Sequence, residues 1–253
     1  MIGCWLAAAR GAAGFLTRLP VGHRDGDWTA FRSRPAAFPI VGYVGGALAA
    51  LPLLAAETLP APTVALAYLL AVYAVFGIHH LDGVADLGDA LVVHGDVERR
   101  REVLKDTTTG VGALLAVSAI VAALALAGLA LAGVPVFTAV AIAIAAEVGT
   151  KLGMAAMACF GRASHEGMGR QFTDAAASRS FVAPAVVAVP VVALSWPAPV
   201  AAVALVGALA GLGLPWYWAN RHLGGISGDI FGAANEIGRV AGVHAGVIAW
   251  TLL

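Results

Sequence analysis

The stretch GVGALLAVSAIVAALALAGLALAG, residues 110–133, holds no charged side chain from end to end. A helix needs about 20 apolar residues to cross the hydrocarbon layer. Backbone amides inside lipid must also find hydrogen-bond partners within their own segment. This run is therefore read as a transmembrane helix. Further apolar segments lie at 36–56, 62–81, 135–160, 181–194, 198–219 and 240–253. In a chain that is 60% hydrophobic, they predict an all-α, polytopic transmembrane helix bundle with six or seven spans. The count turns on the short segments 181–194 and 240–253, and on Pro39 and Pro52 within the first. A single integral membrane domain over 1–253, with 1–35 as a cytoplasmic or interfacial N-terminal segment, is the simplest organisation.

Fifteen basic and fifteen acidic residues cancel, so the charge balance calls for no nucleic-acid partner. The lipid bilayer is the expected partner, and an oligomer is compatible with the sequence. Fourteen of the fifteen basic residues fall in segments 1–35, 99–105, 161–180 and 220–239. Alternating spans put these four segments on one side, which the positive-inside rule makes cytoplasmic. The N-terminus lacks the pattern of a cleavable signal peptide. It reads instead as an interfacial helix, with Trp5 and Phe15 dipping into the membrane while Arg10 and Arg18 meet headgroups. Cys4 and Cys159 have no metal or redox spacing and are expected to pack as small apolar residues.

Against this apolar background, HHLDGVADLGDA at 79–90 brings Asp82, Asp86 and Asp89 within eight residues. If the second helix continues through them, the three carboxylates share one face within about 60°. Like charges at this spacing repel, the more so as the surroundings dry out. A divalent cation resolves the conflict, and oxygen donors without cysteine favour Mg²⁺. A solvated acidic helix end is the plain alternative. A second acidic pair, Asp229 and Glu236, shares a helical face in GGISGDIFGAANEIG, after a Gly/Ser turn whose N–H groups suit an anion. There the alternative is a turn with an N-cap aspartate.

Between these clusters, Lys105, Thr107, Thr108 and Thr109 precede the glycines that open the third apolar helix, a helix start suited to phosphate. One of these residues or Asp106 serves equally well as an ordinary cap. Arg99, Arg100 and Arg101 read as topology determinants. Arg162 and Arg170 flank the turn in GRASHEGMGRQF and offer guanidinium forks to phosphate, or simply mark a cytoplasmic loop. Glu147 and Lys151 form an i, i+4 pair inside a span, where charge must pair or face a polar cavity. His79 and His80 are expected to be packing residues, and His94, His165, His222 and His244 show no metal spacing.

Taken together, FLTRLPV (15–21), FPIVGYVGG (38–46), HHLDGVADLGDAL (79–91), LKDTTTGVGA (104–113), GRASHEGMG (161–169) and GGISGDIFGAANEI (224–237) resemble, in order, the cobalamin synthase family. These are membrane-bound adenosylcobinamide-GDP ribazoletransferases. Leu87 stands where the family's acidic run usually has a polar residue, and GRASHEGMG lacks an aromatic and a proline in its middle. The resemblance implies an Mg²⁺-dependent enzyme that joins adenosylcobinamide-GDP to α-ribazole or its 5′-phosphate and releases GMP. It implies that Asp82, Asp86, Asp89, Asp229 and Glu236 supply the metal site, with Asp229 alternatively the base. Lys105, Thr108, Arg162, Arg170 and Ser227 would contact substrate. Two other readings are a CDP-alcohol phosphotransferase, whose Gly-Ala-Arg step and final aspartate pair are missing here, and a small-solute transporter. A transporter is expected to place its polar residues near the midplane, whereas these acidic clusters lie at one face.

Overall fold

Proline and glycine set where the apolar segments start and stop. The structure is a computed structural model that describes residues 2–104, 106 and 108–253. Its α-helices, in chain order, are α1 (Ile2–Leu16), α2 (Asp27–Arg32), α3 (Ala37–Ala49), α4 (Ala61–Phe76), α5 (His79–Val92), α6 (Val97–Val103), α7 (Val111–Leu131), α8 (Val136–Phe160), α9 (Met168–Thr173), α10 (Val182–Ala188), α11 (Val200–His222) and α12 (Gly228–Thr251). Pro60, Pro135 and Pro199 sit at the starts of α4, α8 and α11, where a missing N–H leaves no helical bond unmade. Among the described residues the β-type pairing is limited to an isolated bridge between Ala163 and Ile226.

Among the described residues, five segments are long and apolar enough to span a membrane: Ala37–Ala55, Val111–Leu131, Val136–Phe160, Ser178–Ser195 and Val200–His222. A sixth is reached only if α4 and α5 count as one span, and these two are bent 98° apart. That bend corrects the expected continuous segment 62–81. Gly77, at φ +76°, closes α4 in a backbone conformation that L side chains rarely adopt. The acidic segment accordingly forms its own helix instead of prolonging the span. The final apolar segment, 240–253, is the second half of the 24-residue α12, whose first half carries Asp229, Glu236 and Arg239.

Small residues bring the central helices into backbone contact. A Cβ at Gly42 of α3 would meet the Val148 backbone of α8 at 2.8 Å, and one at Gly242 of α12 would meet Ala208 of α11 and Ala146 of α8 at 2.8 and 3.0 Å. Gly211 faces Ala241 and Gly207 faces Ala245, so α11 and α12 run antiparallel. Helices α3, α8, α11 and α12 thus form the inner bundle.

This bundle encloses an ionic cluster. The Glu147 carboxylate receives the Lys151 ammonium at 2.9 Å and the Arg239 guanidinium. Arg239 also bonds Glu236 at 2.5 Å, and Lys151 reaches Asn235 Oδ1 at 2.7 Å. Lys151 and Arg239 lie over the Phe76 ring, 4.1 and 5.0 Å from its centroid. Arg239, Lys151 and Glu236 are 0% exposed and Glu147 is 1% exposed. Two cations thus face two anions, as a dry interior requires. Arg239 is therefore a core residue and not part of a basic loop. Removing one partner strands the others: Arg239→Met is expected to destabilise the bundle by about 3 to 5 kcal/mol. Thermal unfolding in detergent checks this, and Arg221→Met at the exposed end of α11 serves as the unaffected comparison.

Candidate active site

Helix α5 lies against the start of α12 with almost no space between backbones. A Cβ at Gly83 would collide with the Asp229 carbonyl, and one at Gly232 would come within 3.1 Å of the His80 backbone. Gly83 lies between Asp82 and Asp86 in the chain, and the charges of Asp82 and Asp229 both act on the Asp86 carboxyl. Burial first, and then the charges of Asp229, Asp82 and Asp89, together push the Asp86 carboxyl up to about 7. Asp82 is exposed, while Asp86 and Asp229 are half-buried. Carboxylates separated by nearly 150 positions in the chain therefore share one electrostatic environment.

The remaining predicted residues divide. Asp89 accepts the backbone N–H groups of Gly110 and Ala113 at 2.8 and 2.9 Å, so it caps the N-terminus of α7 from a neighbouring helix. Glu236 stands two turns deeper than Asp229, enclosed by Arg239 and Asn235. Both are corrected as members of the surface acidic cluster: one carboxylate serves a helix end and the other balances a buried arginine. Ser227, not an aspartate, caps α12. Its Oγ accepts the Ile230 N–H at 3.4 Å and donates to Asp229 Oδ2 at 3.1 Å, which orients that carboxylate.

Arg162 donates to the Gly224 carbonyl at 3.1 Å, and Arg170 is paired with Glu166 and, at 3.1 Å, with Asp174. Both arginines line a cavity of about 370 Å³ with Ser164 and His165. Thr108 is exposed, and its N–H donates to Asp106 at 2.9 Å. It lines a separate cavity of about 290 Å³ with Asp89 and Gly110. Lys105 lies outside the described residues. Loop 161–167 is tied to the start of α12 by Ile226 N–H to the Arg162 carbonyl at 2.8 Å and Ser164 N–H to the Ile226 carbonyl at 3.0 Å.

The main cavity, about 790 Å³, is lined by Arg18, His79, His80, His165, Met168 and Asp229, among others. Spacing in the chain marks none of its three histidines, because they arrive from α5 and from the loop after α8. Arg18, an exposed residue, also borders this cavity, and its backbone N–H bonds the Val75 carbonyl at 2.7 Å. Its neighbour Phe15 joins an aromatic cluster with Trp28, Phe31, Phe38 and Phe172, ring centroids 4.8–6.0 Å apart. Arg10 grips the buried Asp27 at 2.6 and 2.7 Å. The N-terminal helix is thus a wall of the site and not only an interfacial anchor.

Among the described residues, no three His, Cys, Asp or Glu side chains converge closely enough to hold a metal ion by themselves. The donors that α5 and the start of α12 offer, Asp82, Asp86 and Asp229, are carboxylate oxygens, the donor type that suits Mg²⁺ when water and substrate phosphate complete its shell.

The division between Asp89 and its neighbours is open to direct test. Asp89→Ala is expected to cost about 1 to 2 kcal/mol as a lost cap, read by thermal unfolding, while Asp89→Asn keeps an acceptor and most of that stability. Asp82→Asn is expected to leave the unfolding temperature unchanged.

Comparison with known proteins matches residues 8–247 to the family described as cobalamin-5-phosphate synthase. A protein of Halorubrum lacusprofundi named adenosylcobinamide-GDP ribazoletransferase is 49% identical over 97% of this chain and 98% of its own. Proteins of the same name from Haloquadratum walsbyi and Methanocella arvoryzae are 42% and 32% identical, covering 98% and 99% of this chain and 99% of each relative. No solved structure matches.

Proposed function

Because the chain belongs to the cobalamin-5-phosphate synthase family, we propose that it is a membrane-embedded adenosylcobinamide-GDP ribazoletransferase. It joins adenosylcobinamide-GDP to α-ribazole or α-ribazole 5′-phosphate and releases GMP. In this reaction a ribose hydroxyl of the acceptor forms a bond to the cobinamide-side phosphorus. The bridging P–O bond of the diphosphate breaks, GMP leaves, and the hydroxyl proton passes to a base. The observation that carries the reading is the cavity of about 790 Å³ in which Asp229 stands with Arg18 and three histidines, while α5 presses against the Asp229 backbone at Gly83.

Asp82, Asp86 and Asp229 are the carboxylates from which one or two would hold Mg²⁺, with water and substrate phosphate completing its shell. When bound, the ion supplies neutralisation of the diphosphate charge. Asp229, held at one oxygen by Ser227, also lies on the cavity wall and suits the base for the ribose hydroxyl. Arg18 supplies fixed positive charge toward the phosphates. The cavity lies where the Arg-rich segments gather, and the positive-inside rule makes that face cytoplasmic.

Detergent-solubilised protein is expected to release GMP from adenosylcobinamide-GDP only with Mg²⁺ and an acceptor, and running both acceptor forms identifies the preferred one. Asp82→Asn and Asp86→Asn are each expected to lower turnover by at least about 100-fold without loss of membrane insertion. The raised proton affinity of Asp86 also fixes a sign. Its carboxyl is neutral below about pH 7 and gains charge above it, so Mg²⁺ affinity rises with pH through that value. Without a divalent ion, that same charging lowers folded-state stability as pH rises from the unfolded carboxyl range near about 4 to about 7. Added Mg²⁺ is expected to cancel this loss, and Asp86→Asn to remove it. Full GMP release after thorough chelation contradicts the metal assignment.

A further inference from the structure

The ionic cluster and the main cavity meet at one side chain, His80. Its ring lines the cavity, and its Nδ1 lies 3.0 Å from Asn235 Nδ2. Hydrogen-bond polarity can be followed along this chain of groups without ambiguity. The Lys151 ammonium has donors only, so the Asn235 atom 2.7 Å from it is the carbonyl oxygen. The Asn235 amide nitrogen must then face the other way, donating to Glu236 Oε1 at 3.2 Å and to His80 Nδ1. His80 Nδ1 therefore accepts. A proton on Nδ1 would set two donors against each other, and Glu236 Oε1 is 3.8 Å away, too far to receive it.

The proton of the neutral ring consequently sits on Nε2. Among the described residues this nitrogen has no hydrogen-bond partner, yet it is not among the fully enclosed polar atoms that lack one. It is open to the cavity that Asp229 also lines.

We propose that His80 is a fixed neutral hydrogen-bond donor of the active cavity, presenting Nε2–H to a phosphate oxygen of the bound nucleotide, with Lys151 and Asn235 as positioning residues that hold the proton on that nitrogen. This deepens the transferase reading and rests on it for the identity of the oxygen. A nitrogen that already carries its proton gives a hydrogen bond and cannot take the acceptor's proton, so the base remains a carboxylate. The arrangement also gives Lys151 a second role besides balancing Glu147: it sets the direction of a donor two residues away through the Asn235 amide.

The test uses full-length protein with ¹⁵N-labelled histidine in detergent, with the His80 signals identified by their absence in His80→Gln. The wild type is expected to show a bare Nδ1 and a protonated Nε2, and GDP is expected to shift the Nε2 signal. In Asn235→Asp the carboxylate draws the proton to Nδ1. The tautomer should reverse and kcat fall about 100-fold, as for removal of one preorganised donor, with KM changed far less. His80→Gln, which retains an amide donor, should keep at least about tenfold more activity than His80→Phe. Protonated Nδ1 in the wild type, or no response of Nε2 to GDP, overturns the proposal, and so does an Asn235→Asp enzyme with unchanged kcat. The wild-type spectrum decides even if Asn235→Asp fails to fold. Wild-type protein that releases no GMP would instead defeat the transferase reading, while the tautomer and the GDP shift still decide the role of His80.

Discussion

A single carboxylate, Glu147, is shared between Lys151 on its own helix and Arg239 on α12. In an apolar bundle this is the contact with the least freedom to move. A buried ion pair offsets its desolvation only in a good geometry. Arg239 draws Glu236 into the same cluster, and Lys151 draws in Asn235. Three ionic or amide groups from consecutive turns of α12 are thereby fixed against α8. The rotation of α12 about its axis follows, and with it the direction in which Asp229 points.

The second constraint is the turn at Gly77. By ending α4 there, the chain frees α5 to run along the start of α12 instead of continuing through the membrane. Gly83 lets the two backbones touch, and Asp89 ties the far end of α5 to α7. The acidic helix is held at both ends and in the middle. That rigidity keeps like charges close together, and burial with these charges raises the proton affinity of Asp86. Interior and surface thus divide the labour: opposite charges pair in the core, while Asp82, Asp86 and Asp229 leave negative charge in excess where α5 meets the start of α12.

Much of this was legible in the chain. Uninterrupted apolar runs required helices, and the structure is helical. The acidic cluster after residue 80 was visible in the chain, and its Asp86 does feel the charges of Asp82, Asp89 and Asp229. Periodicity failed at Gly77, because hydropathy carries through 62–81 while the backbone turns there. It also failed to separate Asp89 from Asp82 and Asp86. All three share a helical spacing, but only Asp89 faces the exposed N–H groups of another helix. Glu147 and Lys151 were visible as a pair, yet their partners lie 84 and 92 positions away, beyond what local spacing can reveal. The histidines of the cavity were missed for the same reason. His80 and His165 become neighbours of Asp229 only through packing, and no interval between them signals it.

The central claim is that α5 and the start of α12 are pressed together so that Asp82 and Asp229 serve one site. Cysteine cross-linking measures this most directly. With Cys4 and Cys159 replaced by alanine, Asp82→Cys combined with Asp229→Cys in native membranes should be joined rapidly by a short bifunctional thiol reagent. Both cysteines should also be reached from the same side of the bilayer. Failure of the pair to cross-link, or labelling of the two positions from opposite sides, would contradict the account.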